Sequence, residues 1–410
     1  MRDLLLNRKP EEWDLTTDAT PEVVSRLFPK VVPTGIEFGT VTVLLNDQTF
    51  EVTTFRRDER YTDGRHPSAV TYSKSLDEDL SRRDFTINAL AYDPLSSEFV
   101  DKFAGQEDII KKLIRTVGDP VQRFSEDGLR SLRACRFAAQ LEFEIEKRTF
   151  EAIPKTLEIT KKVAPERVHD EIVKMLSSGK PSIGFEHMRR SGLLKLFLPE
   201  LQDTYGVEQP PQYHKYDVYW HSLYSCDAAP ADNVPLRLAA LLHDIAKPLC
   251  KVDYTFYNHD KVGAELTGRI LKRLRFSNDD IKKVSLLISS HMFEYTNEWS
   301  DAAVRRFMRR VGVLNLPDLF ALRRADAKGM EREIGEEYLK ELRDRIDRII
   351  KEEHALKISD LKVDGQDVMR ELSIPPGPRV GKILEGLLER VLEDPALNQR
   401  EKLLEMIREF

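Results

Sequence analysis

Residues 9–17 read Lys-Pro-Glu-Glu-Trp-Asp-Leu-Thr-Thr, and this stretch decides how the N-terminal part of the chain is interpreted. Glu12 and Asp14 are two residues apart, so on an extended strand both carboxylates point to one face, with their backbones roughly 6–7 Å apart. Such a pair can hold one or two hard cations such as Mg²⁺ against a triphosphate, as phosphoryl transfer requires. Because an acidic pair beside a turn is more often only solvated, the interpretation depends on the rest of the chain.

The composition predicts a globular cytoplasmic protein. A chain of 410 residues suggests two to four domains, and its hydrophobic fraction of 41% is enough for real cores. The net charge of −6 excludes a global positive field, although local basic runs such as residues 305–310 could contact RNA phosphates. Three cysteines without a CxxC pair argue against a disulfide scaffold, and no signal-peptide core or apolar run of membrane-spanning length is present.

A strand hairpin is predicted next. Residues 40–45 and 50–55 are rich in β-formers and are separated by a turn signal at residues 46–48. Alternation places Glu51 on the face opposite Val52. If this strand pairs with the strand that carries Asp14, Glu51 becomes a third carboxylate of the site. A glutamate on an edge strand that faces water is the equally open alternative.

Residues 56–75 are polar and rich in turn formers, which predicts a mobile loop. Residues 81–90 then have helical spacing, with Asp84 and Asn88 at i and i+4 on one face. Arginines at the start of a helix oppose its dipole, so Arg83 indicates a nearby anion. A salt bridge to the preceding acidic residues is the alternative.

Residues 124–137 predict a single helix with Ser125 as its N-cap. Asp127, Arg130 and Arg133 follow one another at i, i+3 and i+6. Such a pattern is most often an exposed row of oppositely charged side chains on a helix. The alternative explanation is a helix face that contacts a ligand.

Four blocks, taken together and in this order, resemble the class II tRNA nucleotidyltransferase and bacterial poly(A) polymerase family. The resemblance implies an α+β fold, in which a small N-terminal mixed β-sheet head is followed by an elongated all-α neck, an HD domain and a tail. The four blocks are Arg2-Asp3-Leu-Leu-Leu, Glu12-Trp-Asp14, Glu51-Val-Thr-Thr-Phe-Arg56 and Arg82-Arg-Asp-Phe-Thr-Ile-Asn-Ala89.

Two departures from the family pattern concern the start of the head. The family's first block is similar to Gly-Gly-x-Val-Arg-Asp, whereas here Met1 stands directly before Arg2, which predicts a head that is incomplete at its start. Glu12 stands where the family has an aspartate. The added methylene moves the carboxylate by about an ångström, a displacement that can cost roughly a hundredfold in rate.

The family's Glu-Asp-x-x-Arg element, in which side chains serve as the template, resembles the block at Asp127 and Arg130. Cytosine and adenine offer an amino donor to Asp127 and a ring-nitrogen acceptor to Arg130, whereas uracil and guanine offer the reverse. The pair therefore predicts use of CTP and ATP. The implied catalytic residues are Glu12, Asp14 and Glu51, with Mg²⁺ on Glu12 and Asp14. The implied nucleotide-binding residues are Arg2, Arg83, Asp84, Asn88, Asp127, Arg130, Arg133 and Arg136, the last two for the triphosphate.

A second constellation follows residue 211 and resembles the HD metal-dependent phosphohydrolase superfamily, which is all-helical. Imidazole and carboxylate ligands suit Mn²⁺, Ni²⁺, Fe or Mg²⁺. The implied core ligands are His221, His243, Asp244 and Asp326, and His259 and His291 raise the possibility of a second metal. An HD domain kept only as an RNA-binding scaffold is the alternative.

The predicted domains are a nucleotidyltransferase head or palm at residues 1–115, a helical neck with the base-recognition helix at 116–200, an HD-type domain at 201–335 and a helical RNA-binding tail at 336–410. The resemblance implies template-independent, Mg²⁺-dependent addition of CMP and AMP to the 3′ end of tRNA. An enzyme that adds only A or only CC, or a poly(A) polymerase, remains an alternative. So does a transferase-inactive phosphohydrolase or RNA-binding protein.

Overall fold

The computed structural model describes residues 1–10, 13–58, 70–210, 215–331, 336–352 and 356–410. The chain divides into two compact units. The first comprises Met1–Tyr205, Ala231–Val234 and Ile270–Phe276, and the second comprises Gly206–Pro230, Pro235–Arg269 and Ser277–Phe410.

The described strands belong to the first unit, which confirms a mixed α+β fold with its sheet near the N-terminus. They are β1 Asp14–Thr17, β2 Val31–Gly35, β3 Thr40–Leu45, β4 Gln48–Thr54, β5 Arg56–Asp58, β6 Val70–Tyr72, β7 Leu90–Asp93, β8 Glu98–Asp101, β9 Leu113–Ile114 and β10 Glu144–Ile145.

Helices make up most of the remaining chain. The first of them are α1 Arg2–Leu5, α2 Pro21–Leu27, α3 Leu76–Ser81, α4 Gly105–Ile110, α5 Pro120–Glu126, α6 Leu129–Leu141, α7 Lys147–Ala152, α8 Leu157–Thr160, α9 Pro165–Leu176, α10 Pro181–Ser191, α11 Leu193–Phe197 and α12 Pro199–Gln202. They are followed by α13 Val218–Ala228, α14 Val234–Leu242, α15 Lys247–Cys250, α16 His259–Arg273, α17 Asn278–Ser290, α18 Asp301–Val311, α19 Leu316–Gly329, α20 Glu336–Lys351, α21 Gly365–Leu372, α22 Pro378–Glu393 and α23 Arg400–Ile407.

The main sheet has the strand order β1-β4-β3-β2, in which β1 pairs parallel to β4 and the other pairs are antiparallel. Strands β3 and β4 confirm the predicted hairpin. Its two-residue loop is Asn46-Asp47, with φ of 50° and 60°. Asparagine and aspartate tolerate this left-handed backbone better than most residues, and such a loop matches the twist of the strands it joins.

The two faces of this sheet differ in character. Val41, Val43 and Val52 are buried on one face, where they form a core with Val24 of α2. Because side chains alternate along a strand, Glu51 projects from the opposite face. The sheet is therefore anchored on its valine side and leaves its carboxylate side accessible.

Helix α6 is the buried centre of the helical part of the first unit, with Leu132, Ala134 and Cys135 fully enclosed. The residue before it, Gly128, allows its N-terminus to approach the backbone of Thr160. A Cβ atom at position 128 would lie 2.7 Å from the Thr160 Cα atom. The hydroxyl group of Thr160 also donates a hydrogen bond to the Gly128 carbonyl at 3.2 Å.

Close helix packing also organises the second unit. A Cβ atom at Gly329 of α19 would lie 2.9 Å from the backbone nitrogen of Ser225 on α13, so the two helices are in near backbone contact. Farther along the chain, α21, α22 and α23 enclose an apolar core of their own, which includes Val368, Leu387 and Leu403.

Gly128→Ala is expected to lower the free energy of unfolding by about 1–3 kcal/mol, because the new methyl group must displace the backbone at Thr160. Gly381→Ala is the matched control. It lies inside α22 with nothing within 4 Å of an added Cβ atom, so alanine should stabilise that helix by about 0.5–1 kcal/mol. Denaturant unfolding of both variants measures the difference, and equal stability would contradict this account of Gly128.

Candidate functional site

The first part of the site lies on the accessible face of the sheet. Asp14 and Glu51 are direct partners in the parallel β1–β4 register, so both carboxylates project to the same side. Neighbouring strands are about 4.8 Å apart, which lets the two side chains reach one cation. Both residues are exposed. Glu12, the remaining predicted carboxylate, lies outside the described residues.

A chain of hydrogen bonds links four of the predicted nucleotide-binding residues. The Arg2 guanidinium donates to the Asn88 side-chain oxygen at 2.8 Å, and the Asn88 amide donates to Asp84 at 3.1 Å. The second oxygen of Asp84 accepts from Arg133 Nε at 2.7 Å. Residues that are far apart in the sequence are thus held in one polar network.

Asp84 is the centre of this network and is almost fully buried. Burial by itself raises the pKa of its carboxyl group. The positive charge of Arg133 and hydrogen bonds from Asn88 and Arg133 outweigh that effect and lower the pKa to about 2. Asp84 is therefore an ionised acceptor that fixes its partners.

The predicted helix over residues 81–90 is wrong. Helix α3 ends at Ser81, and Thr86–Asn88 form one 3-10 turn. The hydrogen bond from Asn88 to Asp84 replaces helical stacking as the link between these side chains. Arg83 turns back to the buried Asp79, at 3.0 Å, as the salt-bridge alternative anticipated, although its Nε atom has no acceptor among the described residues.

The predicted single helix at residues 124–137 is also wrong, because two helices meet there. Helix α5 ends at Glu126, Asp127 has an extended backbone, and α6 begins at Leu129. Ser125 lies in the last turn of α5 and donates to the Val121 carbonyl, so it is not an N-cap. The break moves Asp127 off the helical ladder and into the corner between the helices.

Asp127 and Arg130 are each held by other side chains. Arg167 of α9 donates to both oxygens of Asp127, at 3.2 and 2.8 Å. Arg130 donates to Glu126 at 2.6 Å and to the Arg82 carbonyl at 3.1 Å. Both predicted base-reading groups are thereby oriented and only partly exposed, which is what a selective pocket requires.

Arg136 lies away from the corner between α5 and α6 that holds Asp127. Its side chain is buried, donates to Glu171 and Gln140 at 2.5 Å each, and lies over the Phe137 ring at 3.8 Å. Arg133 approaches the same Glu171 at 3.8 Å. The predicted triphosphate role of Arg136 therefore has little geometric support.

Arg167 and Glu171 are the residues that sequence reasoning missed. They lie one turn apart on α9, and the sequence predicts no contact of either side chain with the site. Their i, i+4 spacing of opposite charges was a visible signal, although it is more often an intrahelical pair. Here both side chains reach residues of the α5–α6 region instead.

The six predicted ligands of the second constellation come together in the second unit. His221, His243 and Asp244 offer ligand atoms that lie within 4.8 Å of one another, and so do Asp244, His259 and His291. Asp244 belongs to both triads. Asp326 completes the cluster, with an oxygen 3.1 Å from His221 Nε2.

Backbone contacts aim three of these imidazole rings inward. The Nδ1 atoms of His243, His259 and His291 lie 2.7–2.8 Å from backbone carbonyl oxygens. Each Nε2 atom is therefore left to face the cluster, an arrangement that metal-bound histidines commonly share. Nitrogen and carboxylate ligands of this kind fit a divalent transition metal.

The electrostatics of the cluster favour positive charge at its centre. Burial lowers the pKa of His243, but the charges of Asp244 and Asp326 outweigh burial and raise that pKa to about 10. Burial and the neighbouring His243 charge lower the pKa of His291 to about 3. A cavity of about 630 Å³ opens onto the cluster, and Lys247, Arg323 and Tyr257 also line it.

Within the described residues, no helix has both the length and the apolar composition needed to cross a membrane.

The chain is similar to known families along most of its length. Residues 1–115 match the poly A polymerase head domain, residues 142–204 the "Probable RNA and SrmB-binding site of polymerase A", and residues 258–407 the tRNA nucleotidyltransferase domain 2.

Curated relatives and solved structures agree with these matches. The CCA-adding enzyme of Enterococcus faecalis is 32% identical over 98% of this chain and 89% of its own length. The CCA-adding enzyme of Pediococcus pentosaceus is 33% identical over 99% of this chain and 91% of its own length. The Bacillus stearothermophilus CCA-adding enzyme in complex with CTP is 25% identical, with a TM-score of 0.77, over 100% of this chain and 90% of that one.

Asp84→Asn is expected to lower the free energy of unfolding at pH 7 by about 2 kcal/mol, given a pKa near 2 in the folded chain and an ordinary value of 3.8. Because the folded-state pKa is the lower one, the ionised carboxylate stabilises the protein above about pH 4, and this stabilisation is lost as the pH falls towards 2. Urea unfolding of the wild type and of Asp84→Asn, at pH values from 7 to 3, measures the difference in the free energy of unfolding.

Asp77→Asn is the matched control for that experiment. Its carboxylate pairs with Lys102 at 3.3 Å with both side chains more than half exposed, so its removal should change stability by less than about 1 kcal/mol. A stability gap between wild type and Asp84→Asn that stays constant from pH 7 to pH 3 would count against the assigned charge state.

Proposed function

The chain belongs to the CCA-adding enzyme family of tRNA nucleotidyltransferases, and we propose that it extends the 3′ end of tRNA with CMP and AMP taken from CTP and ATP. The observation that carries the nucleotide choice is the oriented pair Asp127 and Arg130, beside a polar network that reaches Arg2. Action on tRNA implies a cytoplasmic location.

Enzymes of this family generally use divalent metal ions, and we assign Mg²⁺ to the carboxylates of the sheet. Asp14 and Glu51, with Glu12, would hold it. A bound Mg²⁺ would neutralise charge on the triphosphate and would favour attack of the terminal ribose hydroxyl on the α-phosphate, with pyrophosphate leaving. Asp14 and Glu51 are direct partners on neighbouring parallel strands, so one cation can contact both side chains.

Nucleotide selection follows from hydrogen-bond direction. Asp127 accepts from the exocyclic amino group of cytosine or adenine, and Arg130 donates to the neighbouring ring nitrogen. Uracil and guanine would place a carbonyl against Asp127 and an N–H against Arg130. Both contacts would then repel, and unpaired groups in a partly buried site discriminate strongly.

Of the other predicted nucleotide-binding residues, Arg2, Arg83 and Asn88 would hold the sugar and phosphates. Arg2 and Asn88 are oriented by Asp84, and Arg83 keeps an N–H without an acceptor among the described residues. Arg133 connects Asp84 with Glu171, which favours a positioning role for it over direct contact with phosphate.

Incubation of the purified protein with tRNA that lacks its 3′ CCA and with single labelled nucleotides is expected to give incorporation of CTP and ATP only. Asp127→Ala should reduce the preference for CTP over UTP by about 10–100-fold, since a good paired contact to a base contributes about 1–3 kcal/mol. Asp14→Asn should abolish incorporation, whereas Asp170→Asn, exposed on α9, should leave it unchanged.

The same assay separates the alternatives. Addition of A alone, of CC alone or of long A tracts would identify an A-adding enzyme, a CC-adding enzyme or a poly(A) polymerase. Efficient use of UTP by the wild-type protein would contradict the Asp127–Arg130 template. No incorporation under any condition would support a transferase-inactive protein.

A second activity, metal-dependent phosphohydrolysis at the histidine–aspartate cluster, is favoured by one observation. Two ligand triads share Asp244, which is the geometry expected where two metal ions act on one phosphate. For this site we propose Mn²⁺, Ni²⁺ or Fe at His221, His243, Asp244, His259, His291 and Asp326. Lys247 and Arg323 would add positive charge on the cavity wall.

Wild-type protein is expected to bind two more Mn²⁺ or Ni²⁺ ions per chain than Asp244→Asn, which loses the shared ligand, and His259→Ala should lose one. Equilibrium dialysis with elemental analysis measures the stoichiometry, and hydrolysis of bis(p-nitrophenyl) phosphate should disappear with a chelator. His169→Ala, outside the cluster, is the control. Equal metal content in wild type and Asp244→Asn would favour an RNA-binding scaffold.

A further inference from the structure

We propose that Gly329 is a positioning residue for one of the two metal ions of the histidine–aspartate cluster, because it sets the distance between helices α13 and α19. The inference rests on the metal-binding role proposed for that cluster. Helix α13 carries His221 and α19 carries Asp326, so the distance between the helices fixes the distance between these two ligands. Gly329 lies about one turn after Asp326, where the two helices are in near backbone contact.

The contact at Gly329 has no room for a side chain. An added Cβ atom would overlap the Ser225 Oγ atom, and it would lie 2.9 Å from the Ser225 backbone nitrogen and 3.0 Å from the His221 carbonyl oxygen. The Ser225 side chain can rotate away, but the other two atoms belong to the backbone of α13. Any side chain at position 329 therefore displaces α13 itself, together with His221.

Ser225 is the matching small residue on the other helix. It lies about one turn after His221 on α13 and is completely buried. Its hydroxyl group has no hydrogen-bond partner among the described residues, so this position contributes small volume rather than a hydrogen bond. A larger side chain at either position would separate the two helices at the same point.

The ligand atoms on these helices have the separations expected of atoms that bind one metal ion. His221 Nε2 lies 3.1 Å from Asp326 Oδ1 and 3.5 Å from Asp244 Oδ2. The same atom lies 3.0 Å from His243 Nε2. Ligand atoms bound to a transition metal at about 2.1 Å are about 3.0–3.4 Å from one another. A displacement of α13 by a few tenths of an ångström therefore weakens the bond from His221.

The other triad, formed by Asp244, His259 and His291, is carried by different helices. His259 begins α16, and His291 directly follows α17. His259 Nε2 lies 3.3 Å from Asp244 Oδ1 and 3.3 Å from His291 Nε2. Separation of α13 from α19 should therefore weaken one triad and spare the other. A general loss of stability would weaken both.

The test measures Mn²⁺ binding to the full-length protein in two backgrounds, each of which leaves one triad intact. In His259→Ala the triad with His221 remains, and the addition of Gly329→Ala is expected to weaken Mn²⁺ binding by about 10–100-fold. In His221→Ala the triad with His259 remains, and Gly329→Ala should leave its affinity unchanged. Isothermal titration calorimetry gives the dissociation constants, and a titration of Asp244→Asn supplies the background from other sites.

Gly263→Ala on α16 is the matched control. It introduces the same methyl group near the His243 carbonyl oxygen, but at 3.5 Å, which is an ordinary van der Waals contact. Its affinity for Mn²⁺ should equal that of its parent in both backgrounds. Ser225→Val enlarges the contact from the side of α13 and should reproduce the selective loss, so the inference is testable even if Gly329→Ala does not fold.

The pattern across the two backgrounds decides the question. A loss confined to the His259→Ala background supports the inference. Equal losses in both backgrounds, or unchanged affinity in both, would overturn it. If wild type binds no more Mn²⁺ than Asp244→Asn, the proposed metal site fails and the inference fails with it. The wild-type titration alone distinguishes this last outcome from the others.

Discussion

The ion pair between Arg133 and Asp84 is the contact on which the rest of the first unit depends. It joins two residues 49 positions apart, at 2.7 Å, and it neutralises an Asp84 carboxylate that is almost fully buried. From Asp84 the contacts run to Asn88 and Arg2, and from Arg133 they run towards Glu171. The N-terminal segment that carries the sheet and the helices on either side of Asp127 are thus connected through one buried charge.

Burying a carboxylate such as Asp84 costs free energy of hydration, and an ion pair offsets that cost only where its geometry is good. Hydrophobic residues could fill the same space with equal or greater stability. The ion pair fixes the orientation of both side chains, because a carboxylate and a guanidinium bind in few relative orientations. An enzyme that chooses between bases by hydrogen-bond direction gains more from fixed orientations than from additional stability.

Local patterns were sufficient for the sheet. The alternation in residues 40–55 predicts β3 and β4. The two-residue spacing of Glu12 and Asp14 predicts a strand beside Glu51, and the β1–β4 register confirms this for Asp14, whereas Glu12 lies outside the described residues. The meeting of the six histidines and aspartates of the second unit is what their resemblance to the HD phosphohydrolase superfamily implies. Their role in binding metal stays a prediction.

Contacts between distant segments explain what the sequence did not reveal. The break at Gly128 exists because α6 must approach Thr160, which is 32 residues later and invisible to a helical pattern. Arg167 meets Asp127 across 40 residues. Tertiary contacts of this kind override local spacing, as they also do where Arg136 is drawn into the interior by Glu171.

The two charged residues of α9 constrain how this protein can change over evolution. Arg167 and Glu171 reach different partners from the same side of one helix, a turn apart. Each residue inserted between them would rotate one relative to the other by about 100°. Substitutions on the outer side of α9 are therefore tolerable, but the number of residues between these two positions is fixed. The spacing of four positions between Arg167 and Glu171 should therefore stay constant even where other residues of α9 change.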